Sequence, residues 1–324
     1  MMNFTRGAVR TWSMLGTAGT FGLTAMGLLN INFETIILTA DLRNFSGLDR
    51  FAATHPDRLI NAGIAEQNMV GMAGGLINEG FSVFATTYAT FATARSADSV
   101  RVNMGYMGLG IKLVGLGAGF SVGVLGPTHI SIEDVAFMRS IPNVTVILPA
   151  DCGETVKAVE ALAKHTGPAY LRLGGGVPHS VVYSEDYEFC IGKAIRLREG
   201  NDITIVAAGS VVYESLEAAK ILGDMGISVA VINMHTIKPL DTDILNEAYS
   251  QTRLIVTVEE HSIIGGLGGA VAEHKSQFVN TPSQLFLGIK DCFPHAGDYR
   301  YLLTQTGLTA TQIASSIHAR WEAM

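Results

Sequence analysis

Short apolar, β-branched runs alternate along the first half of the chain with longer segments whose apolar residues recur at three- and four-residue steps. This pattern predicts strands at 35–39, 58–61, 81–85, 111–116, 144–148 and 169–173, and helices at 9–30, 65–79, 88–105, 132–140 and 153–165. Strands that alternate with helices are typical of parallel sheets covered on both faces.

The alternation breaks at the polar segment 178–190, PHSVVYSEDYEFC, which is interpreted as a linker or an edge hairpin. It then restarts with strands at 203–207, 228–232, 254–258 and 285–288 and helices at 211–225, 242–250, 266–278 and 309–322. A chain of 324 residues exceeds one ordinary core. We therefore predict an α/β fold of two doubly wound domains with mostly parallel sheets, residues 1–184 and 185–324.

Composition excludes disorder, because 48% of the residues are hydrophobic and 16% are charged. So low a charged fraction indicates that a partner covers part of the surface. The most apolar stretch, 104–126, holds eight glycines and Lys112, so it is interpreted as a buried strand and a glycine-rich loop. No membrane association is expected.

The net charge and the cysteines narrow the range of partners and structural frameworks that the protein could have. The net charge is −7 and no run of Lys or Arg forms a basic stripe, so a nucleic-acid partner is not expected. The three cysteines are far apart and form no CxxC pair, which supports neither a zinc ribbon nor a disulfide framework. The first twelve residues lack the apolar region of a signal peptide, and we expect a cytoplasmic protein.

Glu66, in GIAEQNMVGMAGG, is the first candidate for chemistry. It falls in the first turn of a predicted helix, where the helix dipole and free N–H groups stabilise a carboxylate, and spacing alone favours this structural role. The alternative is a carboxyl whose pKa is raised by apolar burial, so that it exchanges a proton with a ring nitrogen.

Two further candidates lie in loops or helix starts of the same half. Tyr88 and Phe91 are three residues apart and would share a helix face, either as a stacking wall for a flat heterocycle or, as spacing alone favours, as core. His129, in GVLGPTHISIED, follows a strand and is a possible acid or base, although most lone loop histidines are inert. Ser131 and Asp134 have capping-box spacing.

The segment VEEHSIIGGLGGAVAE stands out in the second half. Its GGLGG is a poor dinucleotide fingerprint, and close helix packing is the favoured explanation. Glu259, Glu260 and His261 lie at a predicted strand end, where an interfacial role is favoured over an active one.

The order of these motifs is more specific than any one of them. GIAEQNMVGMAGGL, TYATF, GPTH and PNVTVILPADCGET together resemble the pyrimidine-binding domain of the transketolase family, and GIAEQ is especially similar to 1-deoxyxylulose-5-phosphate synthase. ITIVAAGS, INMHTIKPLD and VTVEEHSIIGGLGG are similar to the family's C-terminal domain. The resemblance covers nearly the whole chain.

The resemblance implies thiamine diphosphate chemistry. Glu66 matches the glutamate that hydrogen-bonds the aminopyrimidine and favours the imino tautomer, whose nitrogen removes the thiazolium C2 proton. Tyr88 and Phe91 match the aromatic pair on which the pyrimidine stacks, and Asp41, in LTADL, matches an aspartate near the cofactor. His129 matches the histidine that contacts substrate and assists proton transfer.

The chain also departs from the family's pattern. Leu125 stands where DGPTH would place an aspartate that contacts a sugar hydroxyl, and Gly117 and Ala118 stand where relatives have polar or basic residues. After the strand at 169–173, relatives carry an arginine that binds a substrate phosphate. The matching positions in this chain, 174–176, are all glycine. A lost bidentate arginine is not cheaply replaced, so an ordinary phosphorylated pentose is disfavoured as substrate.

Several cationic side chains are left open as substrate contacts. Arg172 and His261 are weak substrate-binding candidates, and the sequence does not place Arg95 or Arg101.

The family's metal-binding GDG motif is absent from the sequence. The resemblance therefore implies no metal ligands in this chain and a partner, an N-terminal transketolase-like subunit that carries GDG and holds the diphosphate through Mg²⁺ (or Ca²⁺ or Mn²⁺). The family's usual assembly implies an α2β2 heterotetramer with β–β contacts.

The expected activity is that of a transferase, active only with its partner, which moves a two-carbon ketol unit from a ketose-type donor to an aldehyde acceptor. One alternative is the β subunit of a 2-oxo acid dehydrogenase-type or acyloin-forming enzyme, since Leu125 suits an apolar acyl group. Another is a non-catalytic scaffold subunit, against which the presence of Glu66 with both aromatics argues.

Overall fold

A computed structural model describes residues 2–324 and contains two sheets, of seven and five strands. In chain order the strands are β1 Thr35–Thr39, β2 Leu59–Asn61, β3 Ser82–Tyr88, β4 Lys112–Ala118, β5 Thr145–Ile147, β6 Ala169–Gly174, β7 Ile195–Arg198, β8 Ile203–Ala208, β9 Val229–Asn233, β10 Thr236–Lys238, β11 Leu254–Ser262 and β12 Ser283–Ile289. The first sheet has the order β10-β5-β6-β4-β3-β1-β2, and the second has the order β12-β11-β8-β9-β7.

Most strand pairs are parallel, which confirms the predicted fold class. The exceptions are two edge strands, β10 against β5 and β7 against β9, both antiparallel. β10 follows β9 in the chain yet completes the first sheet. The two sheets are therefore tied together by backbone hydrogen bonds as well as by side chains.

Helices cover both sheets, and two shorter helical stretches are wide π-type turns at 91–95 and 101–106. None of the helices within residues 2–324 combines the length and apolar character needed to cross a membrane. The α-helices are α1 Arg6–Ala25, α2 Leu28–Ile31, α3 Asp49–Thr54, α4 Glu66–Asn78, α5 Ala97–Val100, α6 Asp134–Ser140, α7 Cys152–Leu162, α8 Val212–Asp224, α9 Thr242–Gln251, α10 Leu267–Lys275, α11 Tyr299–Thr306 and α12 Ala310–Glu322.

The glycine-rich strand β4 is fully buried, as predicted. Lys112 is buried with it, and its ammonium donates to the carbonyls of Gly110 and Gly167. Burial lowers the pKa of Lys112 to about 8, because the charged form loses solvation.

The predicted single helix at 9–30 is wrong in two respects. It ends at Ala25 and is followed by the separate α2, and Gly16 interrupts α1 with φ 70° and ψ 175°. A Cβ at Gly16 would lie 2.6 Å from Cγ2 of Val177, so only glycine lets these segments approach so closely. The kink turns part of α1 toward the carboxyl ends of the strands.

The predicted helix at 88–105 starts one residue too early, since β3 continues through Tyr88 and helical structure begins at Ala89. Thr86 and Thr87 are buried in the strand, where β-branched residues pack well, and this prolongs the extended backbone. Tyr88 and Phe91 therefore meet across a strand-to-helix turn and not on one helix face.

The segment 178–190 forms no hairpin, and the edge strand begins only at β7. Instead, the segment is anchored from α7: Asp151 Oδ2 accepts the N–H groups of Val182 and Tyr183 at 2.7 and 2.9 Å. Glu154, one turn further on, is also buried, and burial raises its pKa to about 8. This acidic pair holds the connection between the two sheets in place.

A buried ion pair joins the sheets near the middle of the molecule. Arg172 Nε donates to Asp134 Oδ2 at 2.8 Å, and Arg172 Nη2 donates to the carbonyls of Ser131 and Glu260 at 3.1 and 3.0 Å. Burial opposes ionisation of Asp134, but Arg172 outweighs it and holds the pKa of that carboxyl below its ordinary value.

The capping box predicted for Ser131 and Asp134 is therefore wrong. α6 begins at Asp134, whose carboxylate pairs with Arg172 and Tyr170, and the Ser131 hydroxyl has no partner among the described residues.

Arg172→Met should lower the free energy of unfolding by about 3–5 kcal/mol, because Asp134 would remain as a buried, unpaired charge. Urea unfolding followed by circular dichroism measures this change. The double variant Arg172→Met with Asp134→Leu should recover most of the loss. Arg6→Gln, which removes one partner of an exposed pair with Glu185, should change stability by under about 1 kcal/mol. Equal losses for Arg172→Met and Arg6→Gln would contradict a buried pair.

Candidate active site

The carboxyl ends of β1, β3 and β4 lie side by side, because Thr39 pairs with Thr86 and Tyr88 pairs with Leu116. In open parallel sheets, ligands bind at this edge. The loops that leave the three strands carry most of the residues singled out from the sequence.

Glu66 is the first residue of α4, and its side chain is 4% exposed. Arg95 Nη1 donates to Glu66 Oε1 at 2.8 Å, the one hydrogen bond to this carboxylate within residues 2–324. Gln67 Nε2 in turn donates to the Arg95 carbonyl at 2.9 Å. The start of α4 and the turn after β3 thus present one buried carboxylate beside one half-exposed guanidinium.

Four rings next to this carboxylate form a cluster that we call the aromatic wall: Phe45, Tyr88, Phe91 and His129. Tyr88 is central, with ring centroids 4.9 Å from Phe45, 5.9 Å from Phe91 and 5.4 Å from His129. Most contacts are edge-to-face, the favoured arrangement of ring quadrupoles. Burial raises the pKa of Tyr88, so its hydroxyl is protonated at neutral pH.

A single glycine makes room for Tyr88. Gly117, at the end of β4, has φ +64°, and a Cβ there would lie 3.1 Å from Tyr88 Cδ1 and from Val122 Cγ1. The left-handed backbone and the close ring contact both require glycine. Position 117 therefore cannot carry a polar side chain without displacing the ring of Tyr88.

Asp41 leaves β1 in a left-handed conformation, with φ 59°. Its amide donates to Asn61 Oδ1 and Asn61 Nδ2 donates back to Asp41 Oδ1, both at 3.0 Å. This reciprocal pair fixes the loop that carries Phe45. Asn61 was not singled out from the sequence, although its place at the end of the neighbouring strand β2 is a signal that could have identified it.

His129 is positioned by a contact within its own loop and by contacts between that loop and the second sheet. Thr128 Oγ1 lies 2.9 Å from His129 Nδ1. At the start of the same loop, Phe120 N donates to Glu260 Oε1 at 2.6 Å, while Tyr299 Oη donates to Glu260 Oε2 at 2.7 Å. The second sheet thus supports the loop that positions His129.

Arg172 and His261 do not join the aromatic wall. Arg172 is 4% exposed and its guanidinium is engaged in the interior pair described above. His261 is fully buried, with Nδ1 2.7 Å from the Ser262 carbonyl and Nε2 accepting from Ala136 N at 3.3 Å. Burial lowers the pKa of His261 to about 4, so it is neutral at physiological pH.

The GGLGG segment is used for packing, as the sequence suggested. A Cβ at Gly268 would overlap the Phe286 ring, and the N–H groups of Leu267 and Gly268 donate to Glu259 at 2.7 and 2.8 Å. Glu259 is fully buried, and burial raises its pKa to about 7.

Two family models match the chain. Residues 14–175 match the transketolase pyrimidine-binding domain, and residues 192–313 match the transketolase C-terminal domain. The chain belongs to the transketolase family.

Individual relatives are subunits of similar length. The chain is 40% identical over 87% of its length to the 6-deoxy-6-sulfo-D-fructose transketolase subunit SqwH of Clostridium sp. (strain MSTE9), covering 87% of that protein. It is 37% identical over 86% of its length to an apulose-4-phosphate transketolase subunit of Phocaeicola vulgatus, covering 89% of it. A solved split-gene transketolase, described as an inactive β4 tetramer, matches 94% of this chain and 97% of its own with a TM-score of 0.84 and 37% identity.

The family uses thiamine diphosphate, and the residues at this edge fit its aminopyrimidine. The planar guanidinium of Arg95 lies 3.8 Å from the centroid of the Phe91 ring while bonded to Glu66. A flat, nitrogen-bearing group therefore fits between this ring and this carboxylate. Within residues 2–324 no three His, Cys, Asp or Glu side chains are grouped so as to hold a metal ion.

Gly117→Ala should displace the Tyr88 ring and lower the free energy of unfolding by about 1–2 kcal/mol, since an alanine here is strained at positive φ. Gly71→Ala is the matched control: it lies inside α4 in open space and should stabilise the protein by about 0.5–1 kcal/mol. Chemical denaturation and near-ultraviolet circular dichroism measure both effects. An unchanged tyrosine signal in Gly117→Ala would contradict this role of Gly117.

Proposed function

We propose that this chain is the β-like subunit of a two-component, thiamine diphosphate-dependent transketolase that transfers a two-carbon ketol unit from a ketose-type donor to an aldehyde acceptor. The observation that carries the proposal is the buried carboxylate of Glu66 beside the ring face of Phe91, which the half-exposed guanidinium of Arg95 covers. The names of the relatives, split transketolases for modified ketoses, support the same activity.

When bound, thiamine diphosphate supplies a nucleophilic carbon that adds to a ketone and later releases the transferred unit. Glu66 accepts a hydrogen bond from the pyrimidine ring and holds or returns one proton at its carboxylate. Burial suits it to this task, since a carboxylate in a poorly solvated site interacts strongly with a ring N–H. Phe91 and Tyr88 orient the ring and exclude water from it.

His129 is assigned to the substrate. Because Thr128 engages Nδ1, Nε2 is the nitrogen that exchanges a proton with a substrate oxygen. Asp41, held by Asn61 at the end of β2, fixes the loop that carries Phe45 at the edge of the cofactor site.

The diphosphate and its metal are assigned to the partner. The sequence contains no GDG motif and carries a net charge of −7, which disfavours an unneutralised diphosphate. Ile64, two residues before Glu66, is 77% exposed, and Tyr106, at the end of the helical segment after β3, is 89% exposed. The proposed N-terminal subunit and a second β-like chain would cover these side chains. We propose an α2β2 complex in the cytoplasm, with Mg²⁺, Ca²⁺ or Mn²⁺ held by the partner.

We also propose that the two domains divide at 184/185. Support comes from the segment between β6 and β7, which contains this position and no strand, and from the gap between the two matched families.

Glu66→Gln should lower kcat of the reconstituted complex by at least about 100-fold, because the amide cannot take up the proton. The assay couples a ketose donor to glycolaldehyde, with pyruvate run in parallel to test the acyloin-type alternative. Glu79→Gln, at the exposed far end of α4, is the control and should retain activity. Full activity of Glu66→Gln would show that Glu66 is structural.

Without its partner, the chain should show no turnover and only weak binding of thiamine diphosphate, because half of the coenzyme site is missing. Co-expression with a GDG-containing subunit should restore both, and native mass spectrometry should give two chains of each kind. Turnover by this chain alone would refute the split arrangement.

A further inference from the structure

A channel without charged side chains opens behind the aromatic wall. It encloses about 350 Å³, and we call it the neutral channel; its lining includes Leu15, Asn44, Phe45, Gly117, Ser121 and Val177. Phe45 and Gly117 both lie against Tyr88, so the channel starts at the aromatic wall. Within residues 2–324 no Lys, Arg, Asp or Glu side chain lines it.

The kink in α1 shapes this channel. Leu15 and Gly16 enter its lining because the helix is broken at Gly16, and Val177 packs against that break. Leu15 and Val177 are 46% and 68% exposed at the rim. The entrance is therefore apolar on two sides.

The channel continues into a wider cleft between the two sheets, of about 570 Å³, which shares Ser121 and Val177 with it. Ser121, Ser180 and Ser210 line the cleft, and the Ser210 hydroxyl is engaged in a hydrogen bond to Glu260. His179 is 4% exposed; its Nδ1 lies 3.0 Å from the Ser180 carbonyl, and its Nε2 has no partner among the described residues. This Nε2 is buried against Gly175, so His179 forms part of the cleft wall and offers no hydrogen bond to a molecule inside it.

The charges of this cleft do not favour an anion. Arg300 is the one Lys or Arg side chain that lines it within residues 2–324, and it donates to Glu214 at 2.6 Å. Asp298, which caps α11, adds a further negative charge. A phosphate dianion would have to shed water here without a free cation, which is costly.

We propose that the substrate's carbon chain runs from the aromatic wall through the neutral channel, and that its distal end is an uncharged polyol and not a phosphate ester. This inference rests on the proposed transketolase function and specifies its substrate class. An uncharged channel beside the aromatic wall, with Ser121 and Ser180 further out, matches an unphosphorylated sugar.

The test uses the complete complex with thiamine diphosphate and Mg²⁺, one donor, β-hydroxypyruvate, and two acceptors, D-erythrose and D-erythrose 4-phosphate. Each kcat/KM is referred to the free aldehyde concentration. The value for D-erythrose should exceed that for the phosphate at least tenfold. A preference for the phosphate overturns the inference while leaving the transferase activity established.

Val177→Arg places a cation at the channel rim and should shift the ratio of the two kcat/KM values toward the phosphate at least tenfold. Val177→Gln, a long uncharged side chain, is the matched control and should shift it far less. Equal shifts in both variants would overturn the inference, because bulk and not charge would then set the preference. Thermal unfolding confirms that both variants are folded.

Equilibrium binding decides the substrate class independently of turnover. Isothermal titration calorimetry of the same complex should give tighter binding of D-fructose than of D-fructose 6-phosphate. The reverse order overturns the inference even where no activity is found, whereas absent turnover with the expected order refutes only the proposed function.

Discussion

The position of the GPTH loop depends on one buried carboxylate from the other sheet. Glu260, near the end of β11, accepts hydrogen bonds from Phe120 N, Tyr299 and Ser210. A Cβ at Gly119 would overlap Glu260 Oε1, so the loop can close over this carboxylate only with glycine there. The carbonyl of the same Glu260 accepts from Arg172, which also holds Ser131. Both ends of the loop are thus fixed by the second sheet, and neither sheet alone would define where His129 lies.

This dependence explains which parts of the fold the sequence could predict. Strands such as β1 and β4 are continuous apolar runs bounded by polar or glycine-containing turns, so local pattern determines them. The edge strands β7 and β10 are short, and they pair only because the tertiary fold brings a partner strand alongside. The same holds for the end of β3: whether Tyr88 continues a strand or starts a helix is decided by its neighbour β4, which no local pattern records.

The candidate site likewise has features that the sequence could predict and features that only the tertiary structure determines. Glu66 could be placed at a helix start from its spacing, and the resemblance selected it among the acidic residues. Its pairing with Arg95 could not be predicted, because the π-type turn at 91–95 sets the direction of that side chain. The sequence makes Arg172 a weak substrate-binding candidate because it lies toward the end of a predicted strand. Its actual partner, Asp134, lies 38 residues away on α6, and alternation along β6 alone does not tell which face of the strand a polar residue occupies.

The contact between Arg95, Phe91 and Glu66 has an energetic meaning for a site that must admit a coenzyme. Arg95 neutralises the buried carboxylate while its guanidinium covers the ring face. Because this arginine is half-exposed, water screens the pair, and its net contribution to stability is about 0–1 kcal/mol. A fully buried partner such as Arg172 could not move without leaving a bare charge behind. Arg95 can therefore move into solvent, and an incoming ring N–H that bonds the same carboxylate would offset the hydrogen bond that Glu66 loses, while the aromatic wall stays in place.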